Sequence, residues 1–219
     1  MRYSKEHKAE THARIVAKAA VRLREKGVHG VGVADLMKEA GLTHGGFYAH
    51  FDSREALVIE AFSRTMDASI RNWKKIAETT PPTKRLAAMV GNYLSPAHRD
   101  APGQGCAVPT LGGDIVRESP RTRRAFAAKI EEMVEMLGEL APGPSSAAAK
   151  REALAAMSTM VGTLLLSRIA GTGELSDEIL QAGRDAVLAR QPASRAKPPA
   201  EERPKRKRIA KADKSSAGR

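Results

Sequence analysis

Residues 33–55, "VADLMKEAGLTHGGFYAHFDSRE", hold two helical segments of about two turns each around a glycine-marked turn. Helices this short do not survive alone in water, because nucleating them costs more than so few hydrogen bonds recover. They must be docked on longer helices, and that requirement points to a compact helical bundle. Val33, Leu36, Met37 and Ala40 recur at i, i+3, i+4 and i+7 and so share one face. Gly41 sits where the turn wants a left-handed backbone. Thr43 is placed to cap the next helix, expected from His44 to about His50, with Phe47 and Phe51 four apart on its inner face. Asp52 and Glu55 then fit a capping box opening a long helix. Gly45 and Gly46 stand out, since each glycine inside a helix costs roughly 1 kcal/mol relative to alanine.

The flanking sequence provides the longer helices. Residues 8–27 carry an apolar stripe of Ile15, Val16, Ala19, Ala20 and Leu23. Arg22, Arg24 and Lys26 load the last turn before Gly27. Leu57, Ala61, Phe62, Met66, Ile70 and Trp73 mark a helix that ends at "TTPP". Further helical patterns follow Thr83 and Pro120, then run from about Ser145 to Gly171 and from Ser176, with Leu175 as a possible staple. "SPAHRDAPGQGCAVPTLGGD" reads as irregular. Aromatics are only 4% of the 219 residues against 42% hydrophobic, so aliphatic side chains must fill the core. The class is all-α.

Net charge is +12, and its distribution is uneven. Residues 1–54 carry 10 Lys/Arg against 6 Asp/Glu, and residues 190–219 carry 11 against 3. Basic ends on a near-neutral middle favour a polyanionic partner, usually nucleic acid. Residues 191–219 have few apolar positions and many like charges, the pattern of a disordered basic tail. Cys106 is the only cysteine, which rules out an internal disulfide and fits a reducing compartment. The N-terminal residues form no apolar signal core. The longest apolar run, around "MVGTLLL", is short of a membrane span. The expectation is a cytoplasmic protein with no membrane contact.

The stretch "GVHGVGVADLMKEAGLTHGGFYAHFDSREAL" resembles the DNA-binding domain of the TetR family of bacterial regulators. The resemblance rests on Gly27 after helix one, "AGLT" in the turn, Gly45, "FYAHF" at the end of helix three and Arg54 at the start of helix four. It implies an N-terminal three-helix helix-turn-helix domain over residues 1–52. A larger helical ligand-binding and dimerisation domain over 53–190 and the basic tail over 191–219 complete the organisation. It also implies the partners: double-stranded operator DNA, a second copy of the chain and an unknown small-molecule effector.

Under that resemblance the recognition helix lies in the major groove. Gly45 and Gly46 let the backbone approach phosphates and bases, and helical N–H groups donate to a phosphate. Thr43 adds a hydroxyl, Tyr48 and His50 match the family's phosphate-contacting pair, and Arg54 adds charge. His44 stands where the family often reads a base. Gly46 occupies another reading position without a side chain to read with. "GVGV" at 30–33, including Val33, departs from the hydroxyl residues usual there, so fewer phosphate contacts are expected from that end.

For the remainder, the resemblance implies a homodimeric repressor released from a palindromic operator by a small molecule or a reactive electrophile. The apolar helix at 147–170, with Met157, Met160, Val161, Leu164 and Leu165, serves either as a dimer seam with the following helix or as the centre of one subunit. Phe62, Met66, Trp73, Met89, Tyr93, Cys106 and Phe126 are the candidate cavity residues. Each is equally a core residue by type, and Cys106 is either a thiol sensor or an inert small hydrophobe. A ligand-independent architectural DNA-binding protein is the alternative to a regulator. No phosphate loop, nucleophile elbow or paired-cysteine motif occurs, and His7 and His12 lack the spacing of metal ligands. No enzyme, cofactor or metal is expected.

Overall fold

The computed structural model describes residues 5–140 and 146–190. The basic tail expected at 191–219 lies outside them. Among the described residues there are nine α-helices and no strands. They are α1 (Lys5–Lys26), α2 (Val33–Glu39), α3 (Arg54–Thr79), α4 (Arg85–Tyr93), α5 (Pro96–Asp100), α6 (Val108–Ile115), α7 (Pro120–Gly138), α8 (Ala147–Ile169) and α9 (Glu174–Leu188). The segment His44–Ala49 is a 3-10 helix rather than an α-helix. Two adjacent glycines weaken the α conformation there, and six residues are too few for cooperative α-helical bonding.

The short N-terminal segments dock as the sequence demands. Ile15, Ala19 and Leu23 of α1, Leu36 and Met37 of α2, and Phe47 and Phe51 bury themselves with Leu57 and Val58 at the start of α3. Gly27 and Gly41 both adopt positive φ, 79° and 75°. At Gly27 a second constraint acts, since a Cβ would lie 2.8 Å from the Asp114 carboxylate oxygen. That carboxylate accepts a hydrogen bond from the Val28 N–H at 2.8 Å, tying α6 to the end of α1.

Several local expectations shift. Ser53, not Asp52, caps α3, its Oγ accepting from the Ala56 N–H at 3.1 Å. Glu55 does not close a capping box: its carboxylate accepts from Ser119 Oγ and from Thr122 Oγ1 (2.8 Å), across to the start of α7. Pro120 begins α7 behind the Ser119 cap. The stretch expected to be irregular contains α5, a 3-10 turn and α6. Ser95 caps α5 with Pro96 in its first turn, and Pro109 lies in the first turn of α6. Leu175 is 63% exposed and staples nothing, while Ser176 lies buried inside α9. Its hydroxyl donates to the Ser167 carbonyl at 2.8 Å and accepts from Arg99 at 2.9 Å.

Helices α7, α8 and α9 pack together, and α7 lies on α3. Gly183 of α9 meets Thr163 of α8 so closely that a Cβ would overlap its side chain. One side of α8 (Ala153, Met157, Met160, Leu164, Ser167) is buried in this packing. The opposite side exposes Leu154, Leu165, Leu166 and Ile169. Contrary to the reading of a short apolar run, α8 is long and apolar enough by composition to cross a membrane. Spanning one would require abandoning the α7 and α9 contacts that bury its other side.

Candidate nucleic-acid interface and ligand cleft

The 3-10 segment presents one side to the core through Phe47 and the other to solvent. Thr43, His44 and Gly45 are exposed, and Tyr48 is 69% exposed despite its aromatic ring. The Tyr48 ring stands edge-on to Phe47 and His44, at centroid distances of 5.3 and 6.4 Å, which aims it outward. A Cβ on Gly45 would meet nothing within 4 Å, and one on Gly46 only ordinary contacts at 3.7 Å. Neither glycine has a positive φ. The fold itself therefore does not require these glycines, and the missing side chains matter only to something that approaches from outside.

The other DNA-contact candidates divide. His50 is half-buried beside His12 and Phe51, and its Nδ1 has no hydrogen-bond partner. Burial, and then the charges of His12 and Lys8, hold its pKa below the usual imidazole range, so the ring is neutral near pH 7. Thr43 occupies the N-cap position but makes no side-chain cap, which leaves its hydroxyl free. Arg54 points inward: its guanidinium donates to the carbonyls of Val28 and, at 3.5 Å, Val31. It closes the α1–α2 loop onto α3 instead of offering a free cation. Val33 is half-buried against the core at the first turn of α2.

The seven cavity candidates divide as well. Phe62, Met66, Met89 and Phe126 are solid core, with the Phe62 ring stacked on Phe126 between α3 and α7. Trp73, Tyr93 and Cys106 line a cleft of 560 Å³ between α1, α3 and residues 92–106. Trp73 and Tyr93 are buried and meet edge-on at 5.9 Å. Cys106 is 2% exposed, and burial pushes its thiol pKa up, so the thiolate needed for electrophile chemistry is disfavoured.

Sequence reasoning missed Arg24 and His98 in this cleft. Arg24 follows Ala17, Ala20 and Val21 at helical spacing and so continues the cleft-facing stripe of α1. That spacing was the available signal. Its guanidinium donates to the Gly103 carbonyl (Nε, 3.0 Å) and to Thr65 Oγ1, and it has no carboxylate partner. Glu25 is already bonded to Arg22 at 3.0 Å. Burial pulls the Arg24 pKa down to about 10.

His98 is held in one tautomer. Nδ1–H donates to the Tyr93 carbonyl at 2.7 Å, so Nε2 is free to accept from the Cys106 N–H at 2.9 Å. Protonating Nε2 breaks the second bond, and burial already lowers the pKa of the ring. Below the unfolded value of about 6.5, the folded chain therefore binds fewer protons than the unfolded chain. Stability is full above that value and falls as pH drops through the folded pKa, by at most ~1.4 kcal/mol per pH unit for this group. Urea unfolding at pH 7.5 and 5.5 should show the loss, reduced but not removed in His98→Gln because His50 shares its sign. An undiminished loss in the variant would refute the assignment. Glu39, Glu55 and Asp100, whose pKa values are lowered, act in a separate and more acidic window.

Residues 15–61 match the family model described as "Bacterial regulatory proteins, tetR family". Among curated proteins, the HTH-type transcriptional repressor DhaR of Mycobacterium sp. (strain GP1) is 27% identical over 124 residues, 55% of this chain and 60% of DhaR. The uncharacterized HTH-type transcriptional regulator YfiR of Bacillus subtilis is 30% identical over 91 residues, 42% of each chain. The chain thus spans less than two thirds of these relatives. Two solved structures share the fold over 84% of the chain. The reduced form of E. coli NemR has a TM-score of 0.71 at 19% identity, and 99% of it is covered. A TetR transcriptional regulator from Chloroflexus aurantiacus has a TM-score of 0.69 at 24% identity, and 95% of it is covered.

Proposed function

We propose that the chain, whose residues 15–61 match the TetR family model, is a TetR-type homodimeric repressor released from a palindromic operator by a small molecule. Residues 1–52 form the DNA-binding unit in this reading, and residues 53–190 the ligand and dimerisation unit. The observation that carries the reading is the outward side of the 3-10 segment. Thr43, His44, Gly45 and Tyr48 are displayed together with no role in holding the fold. Two such segments in a dimer must lie about one DNA turn apart, ~34–36 Å, to enter successive major grooves. A ligand that prefers another spacing shifts the population off DNA.

The structure also offers a route for coupling. The Arg24 fork on Gly103 joins α1 to the segment that walls the cleft, and the Val28 N–H bonded to Asp114 joins the end of α1 to α6, which follows that segment. Movement of that segment is transmitted to the DNA-binding unit through these two ties. Release by a reactive electrophile is the weaker branch, because Cys106 is buried and its thiol pKa is raised.

Selection of bound duplexes from a random library in about 150 mM salt, where purely electrostatic binding is suppressed, tests the function. A palindrome should emerge. Tyr48→Phe should weaken binding to it by roughly 5-fold, about one lost hydrogen bond to a charged group, without changing the preferred sequence. Recovery of no enriched sequence would instead favour the architectural reading.

A further inference from the structure

The cleft beside Trp73 has a chemical bias that the regulator reading does not supply. Its walls combine apolar surface from Ala17, Ala20, Val21 and Trp73 with the Arg24 guanidinium. Two uncompensated features sit in or beside it. Arg24 is half-buried and bonded only to a carbonyl and a hydroxyl; no carboxylate bonds it, Glu25 acting on it only through space, and part of its N–H fork stays unused. The Tyr93 hydroxyl, on a residue 3% exposed, bonds no oxygen or nitrogen and meets only the weak Cys106 thiol. Just behind the wall, Arg168 donates to the carbonyls of His98 (2.8 Å) and Arg99 (3.1 Å) and also has no acid partner. Burying charge without a counter-ion is costly, and a site this short of anions is completed by one.

We propose that this cleft binds a small amphipathic organic acid, its carboxylate on Arg24 and Tyr93 Oη and its apolar body against Trp73. An inorganic anion would leave the apolar walls uncovered. A carboxylate competes with the Gly103 carbonyl for the Arg24 fork and so loosens the tie between α1 and the 102–106 segment. This assignment rests on the regulator reading only for its consequence on DNA. Binding itself is independent of that reading.

Trp73 is the sole tryptophan and reports binding directly. Phenylacetate and hexanoate, each against its neutral amide at constant ionic strength, are titrated into the full-length protein with tryptophan emission as the signal. At least one acid should perturb Trp73 with a Kd below about 10 mM, and its amide should bind at least ~10-fold more weakly. Arg24→Gln should abolish the preference for acid over amide, and Arg24→Lys should keep part of it. Tyr93→Phe, which removes only a hydroxyl with no oxygen or nitrogen partner in the fold, should weaken the acid by ~3-fold or more. Equal binding of acid and amide, or no response to either acid up to about 10 mM, overturns the proposal. An acid that binds without weakening operator affinity preserves the site and removes its regulatory consequence. Absence of any operator, with acid binding intact, defeats the regulator reading alone.

Discussion

Replacing Leu166 and Ile169 of α8 together with glutamate is expected to give a folded monomer with operator affinity reduced by ~10²-fold or more. Both side chains are exposed, 55% and 73%, and lie opposite the buried side that packs on α7 and α9. Their loss removes no core contact. Leu154 and Leu165 extend the same exposed surface, and Gly162 between them meets nothing within 4 Å, which allows a second helix to approach closely. Four large apolar side chains on one helix form a patch that water solvates poorly and that a second copy would cover in the proposed dimer. Four glutamates brought together across a two-fold axis would repel. A monomer reads one half-site and forfeits the linked binding of the second, which contributes ~10²–10⁴ in affinity. Analytical ultracentrifugation and operator titration read the two effects. A monomeric wild-type protein, or a monomeric variant that holds the palindrome as tightly as before, would sink the seam.

Phe62→Ala should be the most destabilising single truncation of the candidate cavity residues, by ~3–5 kcal/mol. Phe62 is 1% exposed and stacks on Phe126, joining α3 to α7. Truncation loses the transfer energy of the ring and leaves a void that helices fixed at both ends cannot close. For a chain of this size the melting temperature should fall by on the order of 10 °C. Acid binding at Trp73 should survive wherever the variant remains folded, because Phe62 does not line the cleft. A stability change below about 1 kcal/mol would mean that the ring borders open space after all.

The helical segments of the first 79 residues were legible because their signals are local. Gly27 and Gly41 adopt the positive φ their positions imply, and the Leu36–Met37 face is buried. The helix ending at Thr79 stops before the two prolines. The cap of α3 moved by one residue because Ser53 and Asp52 compete chemically for the same position. The helices within 95–115 were hidden because proline and glycine read as breakers when they stand in first turns, where proline in fact starts a helix.

Side-chain roles were less legible, for one physical reason. Arg54, Glu55 and Arg24 are charged residues on helix surfaces by their sequence, and only the approach of another element decides what they touch. The α1–α2 loop draws Arg54 inward, α7 takes Glu55, and residues 102–106 cover Arg24. The same holds for Phe62 and Trp73, two aromatics on one face of α3, of which one is sealed by α7 and the other borders a cleft. Local sequence determined where the helices of the first 79 residues lie and how the turn between α2 and the 3-10 segment closes, since dihedral preference, capping and periodicity act within a few residues of chain. Tertiary structure alone decided which apolar residues are core and which border the cleft, which charges are paired and which cysteine chemistry is disfavoured, because burial and counter-ions come from segments distant in sequence.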